Sequence, residues 1–184
     1  MRKYAGSIKQ SSPYLRRCWG RSDVGFGDVV YPKTSTVEYP AILDLPGPRL
    51  KGYPPESMVS EKFEAMVKLG VLNSRMKDFY DIWLIIRQFD FNGSALAGAL
   101  KRTFGNRKTV LPEAKPLFAE EIYNAESDRQ LLWKAFIRKG QIKHAPDRLS
   151  AVAGEIENFL IEPVLALGKE ADFKKKWKAP GPWK

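Results

Sequence analysis

The sequence predicts an α+β fold that is mostly α, in which a short β element precedes a bundle of helices. Before residue 56 the apolar residues alternate and are interrupted by glycine and proline, whereas from residue 56 onward they recur at helical spacing. A chain of 184 residues that is 43% hydrophobic is long enough for one domain with a core. We divide it into a basic N-terminal segment without a clear period (1–22), a partial β element with its connector (23–55), a helical domain (56–167) and a basic tail (168–184).

The β element is predicted to be a pair of antiparallel strands. Residues 23–31 alternate in polarity and are bent or bulged at their glycines, and residues 39–45 form the second strand. Residues 32–36 form the turn between them. Proline has no amide hydrogen to donate, so four prolines are expected to exclude a regular ladder or helix from the connector: Pro46, Pro48, Pro54 and Pro55.

The first two helices are predicted from their apolar residues. The first runs from Glu56 to a glycine break at Gly70, and its buried stripe consists of Val59, Phe63, Met66 and Val67. The second begins at Asn73 or Ser74, either of which is a good N-cap, and runs to about Gln88. Its middle is apolar nearly all round, which is typical of a helix in the centre of a bundle.

Three further helices complete the predicted bundle. Apolar residues recur at three- or fourfold spacing over residues 94–104, 127–139 and 146–162. Glycines close the first two helices, and a proline ends the last, because proline cannot continue a helix; these residues are Gly105, Gly140 and Pro163.

The net charge of +10 is concentrated at the two ends of the chain. Residues 1–30 contain six Lys and Arg against two acids, and residues 168–184 contain the same numbers. Two interpretations of these ends remain open, solubilising tails and arms that bind nucleic acid. The run from Phe173 to Lys178 interleaves aromatic residues with lysines, which could combine base stacking with phosphate contacts but is equally typical of a disordered terminus.

Several classes of protein are excluded by composition. The single Cys18 cannot form an intramolecular disulfide, and with one histidine, His144, no Cys/His zinc cluster is plausible. No apolar run is long enough to span a membrane, and no apolar region of a signal peptide follows the basic start. We therefore expect a cytoplasmic protein.

Charged residues in the second predicted helix are spaced for ion pairing. Asp78 and Asp81 lie three residues apart and so project to neighbouring positions, within reach of a shared cation, while Lys77 and Asp81 could pair at a spacing of four. Arg75 and Lys77 fall in the first turn, where the helix dipole disfavours cations. Spacing alone favours an exposed stripe of ordinary ion pairs, with Glu61 and Lys62 as solvated residues of the preceding helix.

Six short blocks occur in order along the chain. These are Asp-Val-Gly-Phe-Gly-Asp-Val-Val at 23–30, Tyr-Pro at 39–40, Leu-Asp at 43–44, Tyr-Pro at 53–54, Ser-Glu-Lys-Phe-Glu-Ala-Met at 60–66 and Arg-Met-Lys-Asp-Phe-Tyr-Asp at 75–81. In this ordered series, over about residues 23–165, the chain resembles the AbiEii/AbiGii nucleotidyltransferase toxins of abortive-infection, type IV toxin–antitoxin systems.

The resemblance implies the remnant of a polymerase-β-like nucleotidyltransferase sheet followed by a helical bundle, with a nucleoside triphosphate as substrate and Mg²⁺ as cofactor. It also implies a cognate antitoxin and transfer of a nucleotidyl group to RNA, in some relatives to the tRNA acceptor end. The family's later active-site blocks place Lys62 and Asp78 in the catalytic site. The candidate contacts to the nucleotide are Arg75, Lys77 and Glu61, and Asp81 is expected to fix Arg75 or Lys77.

Two departures from the family pattern affect the metal site. Members carry a Gly-Ser motif and an Asp-x-Asp pair before the block at 23–30, and this chain has neither in that register. Asp23 matches a strand carboxylate that can join the metal pair, and it is the candidate metal ligand, although one aspartate cannot hold two ions alone. Residues 1–22 are therefore interpreted as an altered or shifted start.

These departures leave two functional hypotheses and one prediction about assembly. The chain is either a nucleotidyltransferase, alone or as one part of a split enzyme, or a catalytically inactive remnant whose helical domain binds RNA or a cognate antitoxin. A helical interaction domain unrelated to nucleotides is disfavoured by the ordered blocks. A half-sheet without its strand partner would expose an edge, so we expect a homo-oligomer.

Overall fold

The computed structural model describes residues 5–6, 22–23, 27, 29–39 and 46–184. Within them it consists mainly of helices, with three two-stranded antiparallel sheets, so the predicted α+β, mostly α class is confirmed. The elements in chain order are β1 (Ala5–Gly6), β2 (Ser22–Asp23), β3 (Ser35–Glu38), β4 (Arg49–Gly52), α1 (Pro55–Leu69), α2 (Met76–Gln88), β5 (Phe91–Asn92), α3 (Gly93–Arg107), α4 (Glu120–Tyr123), α5 (Asp128–Gly140), α6 (Leu149–Gly168) and β6 (Lys176–Trp177).

The strands that pair in the β element are not the two that were predicted. β3 begins within the segment predicted as a turn, and it pairs with β4, which lies inside the connector. The expectation of a ladder-free connector was wrong, because Pro48 and Pro54 flank β4 and leave all four of its residues with amide hydrogens. Of the predicted strand at 23–31 the structure describes residues 23, 27 and 29–31, and of these only Asp23 lies in a strand. Of the predicted strand at 39–45 it describes only Tyr39.

Tyr31 attaches the β element to the helices. Its backbone amide donates to the Ser57 hydroxyl, which donates in turn to the Tyr31 carbonyl, at 2.8 Å in both cases. The Arg102 guanidinium lies 3.9 Å from the centre of the Tyr31 ring. A Cβ at Gly98 would come within 2.6 Å of this ring, so glycine is what allows α3 to approach it.

The helix boundaries follow the prediction closely at most ends. α1 starts at Pro55, where proline suits the first helical position, and Gly70 adopts a positive φ of 49° after its end. α2 begins later than predicted, because the Asn73 side chain accepts from the amide of Arg75 and closes a turn before the helix. Ser127, where the helix was predicted to begin, caps α5 by accepting a hydrogen bond from the Gln130 amide.

The ends of α3 and α5 differ from the prediction, and one short helix, α4, was not predicted. α3 continues to Arg107, and the left-handed positions after α3 and α5 belong to Lys108 and Gln141 instead of Gly105 and Gly140. The apolar pattern gave no indication of the four-residue α4, which is shorter than the window that reveals a helical period.

Pro163 lies inside α6, so the prediction that it ends the helix was wrong. Proline cannot donate to the carbonyl four residues earlier, which here belongs to Phe159. The indole Nε1 of Trp183 donates to that carbonyl oxygen at 2.8 Å. A distant tryptophan therefore replaces the hydrogen bond that Pro163 removes, and the helix continues to Gly168.

The hydrophobic core lies where α6 meets α2, α3 and α4, with α1 packed against α2 and α3. α2 contacts α1, α5 and α6, in agreement with its apolar circumference. None of the described helices is both long and apolar enough to cross a lipid bilayer. The largest side chains that are fully buried are Phe63, Phe79, Ile82, Ile86, Leu96, Leu100, Phe104, Trp133, Leu149, Ile156, Phe159 and Leu160.

The C-terminal segment packs onto this core. Phe173, Trp177 and Trp183 are buried, and β6 pairs with β5. The Trp177 indole donates to the carbonyl of Ile86 at 2.7 Å, near the end of α2. The interpretation of this segment as a disordered terminus was therefore wrong, because its aromatic residues are part of the core.

Candidate functional site

The Lys62 ammonium joins α1 to α2 through two carboxylates. Its Nζ lies 2.9 Å from Asp78 Oδ1 and 2.7 Å from Asp81 Oδ2. The side chains of Lys62, Asp78 and Asp81 are 19%, 4% and 18% exposed, so the cluster is largely withdrawn from water. The shared cation predicted from the spacing of the two aspartates is therefore Lys62 of the neighbouring helix.

Local sequence explains why these charges meet. Val59, Phe63 and Met66 bury one face of α1, which places Lys62 at the margin of that face. The short 3₁₀ turn Gly70–Leu72 reverses the chain, so α2 packs back against α1. Asp78 lies in the first turn of α2, where the helix dipole stabilises a negative charge.

Lys62 is held in its charged form. Burial opposes the ammonium, but hydrogen bonds from Lys62 to Asp81 and Asp78, together with the charges of both carboxylates, outweigh it and raise the pKa of Lys62 above its usual value. The residue is thus a permanent cation at neutral pH. It can orient carboxylates and attract anions, but it cannot accept a proton.

Arg75 and Lys77 extend the cluster towards solvent. Arg75 Nε lies 2.7 Å from Asp78 Oδ2, and Lys77 Nζ lies 2.5 Å from Asp81 Oδ2. Their side chains are 55% and 72% exposed. The expected contact of Asp81 with Lys77 is present, whereas Arg75 contacts Asp78. These ion pairs explain how two cations are tolerated at the start of a helix.

One oxygen of Asp78 has unused hydrogen-bonding capacity. Oδ2 is buried and close to Arg75, but it accepts no hydrogen bond from any of the residues that the structure describes. Buried carboxylate oxygens are normally hydrogen-bonded, and this one is compensated instead by the charge of Arg75 at 2.7 Å, so another donor could bind it once Arg75 moves away.

Glu61 belongs to a second cluster on the adjacent part of α1. The Tyr53 hydroxyl donates to Glu61, and Arg107 Nη2 lies 3.7 Å from Glu61 Oε2. Arg107 also donates to the buried Glu64 at 2.8 Å, and Thr109 donates to the same carboxylate at 2.5 Å. Arg107 thus fastens α1 to the end of α3, a role that gave no local signal in the sequence.

An open cleft of about 460 Å³ lies beside the Lys62 cluster, within the size range of small-molecule sites. Its first wall is residues 74–78 at the start of α2, including Arg75, Lys77 and Asp78. Its second wall is α5, through Leu132, Ala135, Phe136 and Lys139. The sequence gave no indication of the second wall, because α5 follows α2 after about forty residues of intervening chain.

The described residues do not fit a magnesium site. They contain no group of three or more Asp, Glu, His or Cys that could hold a metal ion. Asp78 and Asp81 already face three cations, which compete with a metal for the same oxygens. Asp23 lies in β2, and its side chain is outside the described residues. The metal role of Asp23 stays a prediction.

Comparison with known proteins gives one match. A family model described as the nucleotidyl transferase AbiEii toxin of type IV toxin–antitoxin systems matches residues 22–155. This range includes the Lys62 cluster and both walls of the cleft. No curated protein and no solved structure matches the chain.

Proposed function

Because the chain belongs to the AbiEii family of nucleotidyltransferase toxins from type IV toxin–antitoxin systems, we propose that it transfers a nucleotidyl group from a nucleoside triphosphate to RNA. Lys62 and Asp78 belong to the site, and the tRNA 3′ end is the first acceptor to test. The family implies a cognate antitoxin as partner. The observation that carries this proposal is the Lys62 ammonium bridging Asp78 and Asp81 beside a cleft with basic residues on both walls.

The rim of the cleft is suited to a triphosphate. Arg75 and Lys77 line it on exposed side chains, and their carboxylate partners, Asp78 and Asp81, are largely withdrawn from water. Both carboxylates keep Lys62 as a second partner, so Arg75 and Lys77 can turn towards phosphate oxygens without leaving either carboxylate unpaired. Arg75 offers a planar group for two phosphate oxygens, and Lys77 a mobile point charge.

Lys62 and Asp78 act behind this rim. Lys62 is charged and fixed by two carboxylates, so it holds Asp78 in one orientation and adds positive potential to the cleft. When Arg75 turns towards phosphate, Asp78 Oδ2 becomes free to accept a hydrogen bond. That oxygen would then accept the proton of the ribose hydroxyl as the hydroxyl oxygen bonds to the α-phosphorus and pyrophosphate leaves.

The test is transfer of label from nucleoside triphosphates to RNA. Protein incubated with Mg²⁺, each labelled nucleoside triphosphate and total tRNA should label the RNA. Lys62→Ala and Asp78→Ala should abolish the label. Arg87→Ala is the matched control, because it removes a surface ion pair with Glu155 at the other end of α2.

A second candidate function is a catalytically inactive protein that binds RNA or the cognate antitoxin. It is favoured by the absence of a cluster of metal ligands among the residues that the structure describes. RNA binding without label transfer for any triphosphate would establish it and refute the enzyme proposal.

A further inference from the structure

We propose that the exposed basic face of α5 and the loop after it binds the acceptor RNA strand and leads its 3′ end into the cleft. This basic face is defined by Lys134, Arg138, Lys139 and Lys143. The inference rests on the proposed transfer to RNA and locates the acceptor relative to that same site.

The basic face lies in a segment free of negative charge. Residues 129–146 contain five Lys and Arg and no Asp or Glu. All four residues of the basic face are exposed. None of them has an ion-pair partner within the described ranges, which include the whole chain from residue 46 onward. Unpaired cations clustered on one helix attract a polyanion, and phosphates bind by displacing counterions from such a surface.

The C-terminal segment is a poorer site for RNA, although its sequence looked suitable. Lys174, Lys175 and Lys178 pair with Asp172, Glu162 and Asp90, which neutralises half of the segment's lysines. Its aromatic rings cannot stack on bases, because Phe173, Trp177 and Trp183 are buried in the core. Of these two candidate surfaces, α5 therefore has the larger share of unpaired cations.

Helix stability does not account for the basic face. Cations in the last turn of a helix are favoured by its dipole, which explains Arg138 and Lys139. Lys134 lies in the middle of α5, and Lys143 lies beyond its end, so the dipole explains neither. Lys134 and Arg138 are four residues apart and so are neighbours on one face. Two like charges there repel each other unless an anion lies between them.

The basic face is continuous with the cleft. Lys139 and Phe136 form part of the wall opposite Arg75, Lys77 and Asp78. Phe136 is partly exposed in this wall and its ring packs against Trp133 and Tyr80, so a base can make apolar contact with the exposed part of the ring. A strand held by phosphates along α5 would therefore end at Lys139, with its terminal ribose facing Asp78.

The experiment compares two variants that each lose four positive charges. The test variant combines Lys134→Ala, Arg138→Ala, Lys139→Ala and Lys143→Ala. The control combines Lys51→Ala, Lys101→Ala, Lys169→Ala and Lys176→Ala, four exposed lysines elsewhere that have no ion pair among the described residues. Alanine is the best helix former, so α5 should remain folded, and thermal melting checks this.

Binding of a short fluorescent single-stranded RNA is measured by anisotropy over a range of salt concentrations. The test variant should lose about tenfold or more in affinity, and its slope of log affinity against log salt should become shallower by up to about 3. The control variant should stay within about twofold of the unmodified protein. Equal losses in both variants, or a loss confined to the control, would overturn the proposal.

Label transfer to tRNA separates this inference from the proposed function. If the unmodified protein transfers label, the test variant should raise the KM for tRNA, whereas an unchanged KM would contradict the inference. If neither the unmodified protein nor the variants transfer label, the enzyme proposal fails. If RNA binding then still depends on the basic face of α5, the inference that this face binds RNA is supported.

Discussion

The Nζ atom of Lys62 lies 2.9 Å from Oδ1 of Asp78 and thereby links the middle of α1 to the first turn of α2. Asp78 is nearly inaccessible to solvent, and its other oxygen accepts no hydrogen bond from the described residues. Removing Lys62 would leave this carboxylate poorly compensated in a low-dielectric setting. The pair is therefore both a structural link between the two helices and the core of the candidate site.

Lys62→Ala should destabilise the fold by about 3 kcal/mol, because it strips a buried carboxylate of its main partner. Arg75→Ala removes an exposed partner of the same Asp78 and should cost no more than about 1 kcal/mol. Urea unfolding followed by circular dichroism gives both values. Equal costs for the two variants would show that the buried contact has no special weight.

The stabilisation that Lys62 contributes should be lost at alkaline pH. Its folded pKa is raised above the reference value of 10.5, by Asp81 and Asp78 acting against burial. The stabilisation is therefore fully present below that reference value and is lost as the pH rises through the higher folded pKa. Unfolding free energies of the unmodified protein and of Lys62→Met, measured from neutral to alkaline pH, should differ by a constant amount and then converge. A difference that grows at alkaline pH has the wrong sign.

Trp183→Phe should destabilise α6 by about 1–3 kcal/mol, because it leaves the buried Phe159 carbonyl without a donor. The cost should shrink when Pro163→Ala is also present, since alanine restores the amide that can donate to the same carbonyl. A double-mutant cycle by thermal unfolding measures this coupling. Additive effects would mean that the indole does not replace the missing bond.

The β3–β4 hairpin should mediate self-association. Val37 and Leu50 form a cross-strand pair and are 43% and 50% exposed, so the small sheet presents apolar surface, and its outer edges pair with no other strand that the structure describes. Light scattering should detect a species larger than the monomer, and Val37→Lys should shift it towards the monomer. A single monomeric species in the unmodified protein would refute this prediction.

The helices could be predicted because helical periodicity is local. The stripe of Val59, Phe63 and Met66 determined α1, and the apolar circumference of α2 indicated its contacts on several sides. The predictions were wrong where a contact with a distant residue outweighed the local sequence pattern. Pro163 is tolerated because the Trp183 indole donates to the carbonyl of Phe159, 24 residues earlier, and no local pattern encodes that bond.

The candidate site could be predicted only in part. The spacing of Asp78 and Asp81 indicated a shared cation, and the structure identifies it as Lys62. The α5 wall was not predicted, because the net charge summed over the centre of the chain is small and hides the local cations of α5. The acid-free segment at 129–146 was visible in the sequence, but its position beside the cleft required the fold.

Label transfer to tRNA by Asp78→Asn tests whether Asp78 takes part in catalysis. This substitution keeps the shape of the side chain and removes its charge, while Lys62 retains Asp81 as a partner. The rate should fall by about 100-fold or more, since a carboxylate that orients and deprotonates the attacking hydroxyl typically contributes that much. Arg87→Ala should retain the unmodified rate. An Asp78→Asn rate within a few-fold of the unmodified protein would contradict the assignment of Asp78 to the catalytic site.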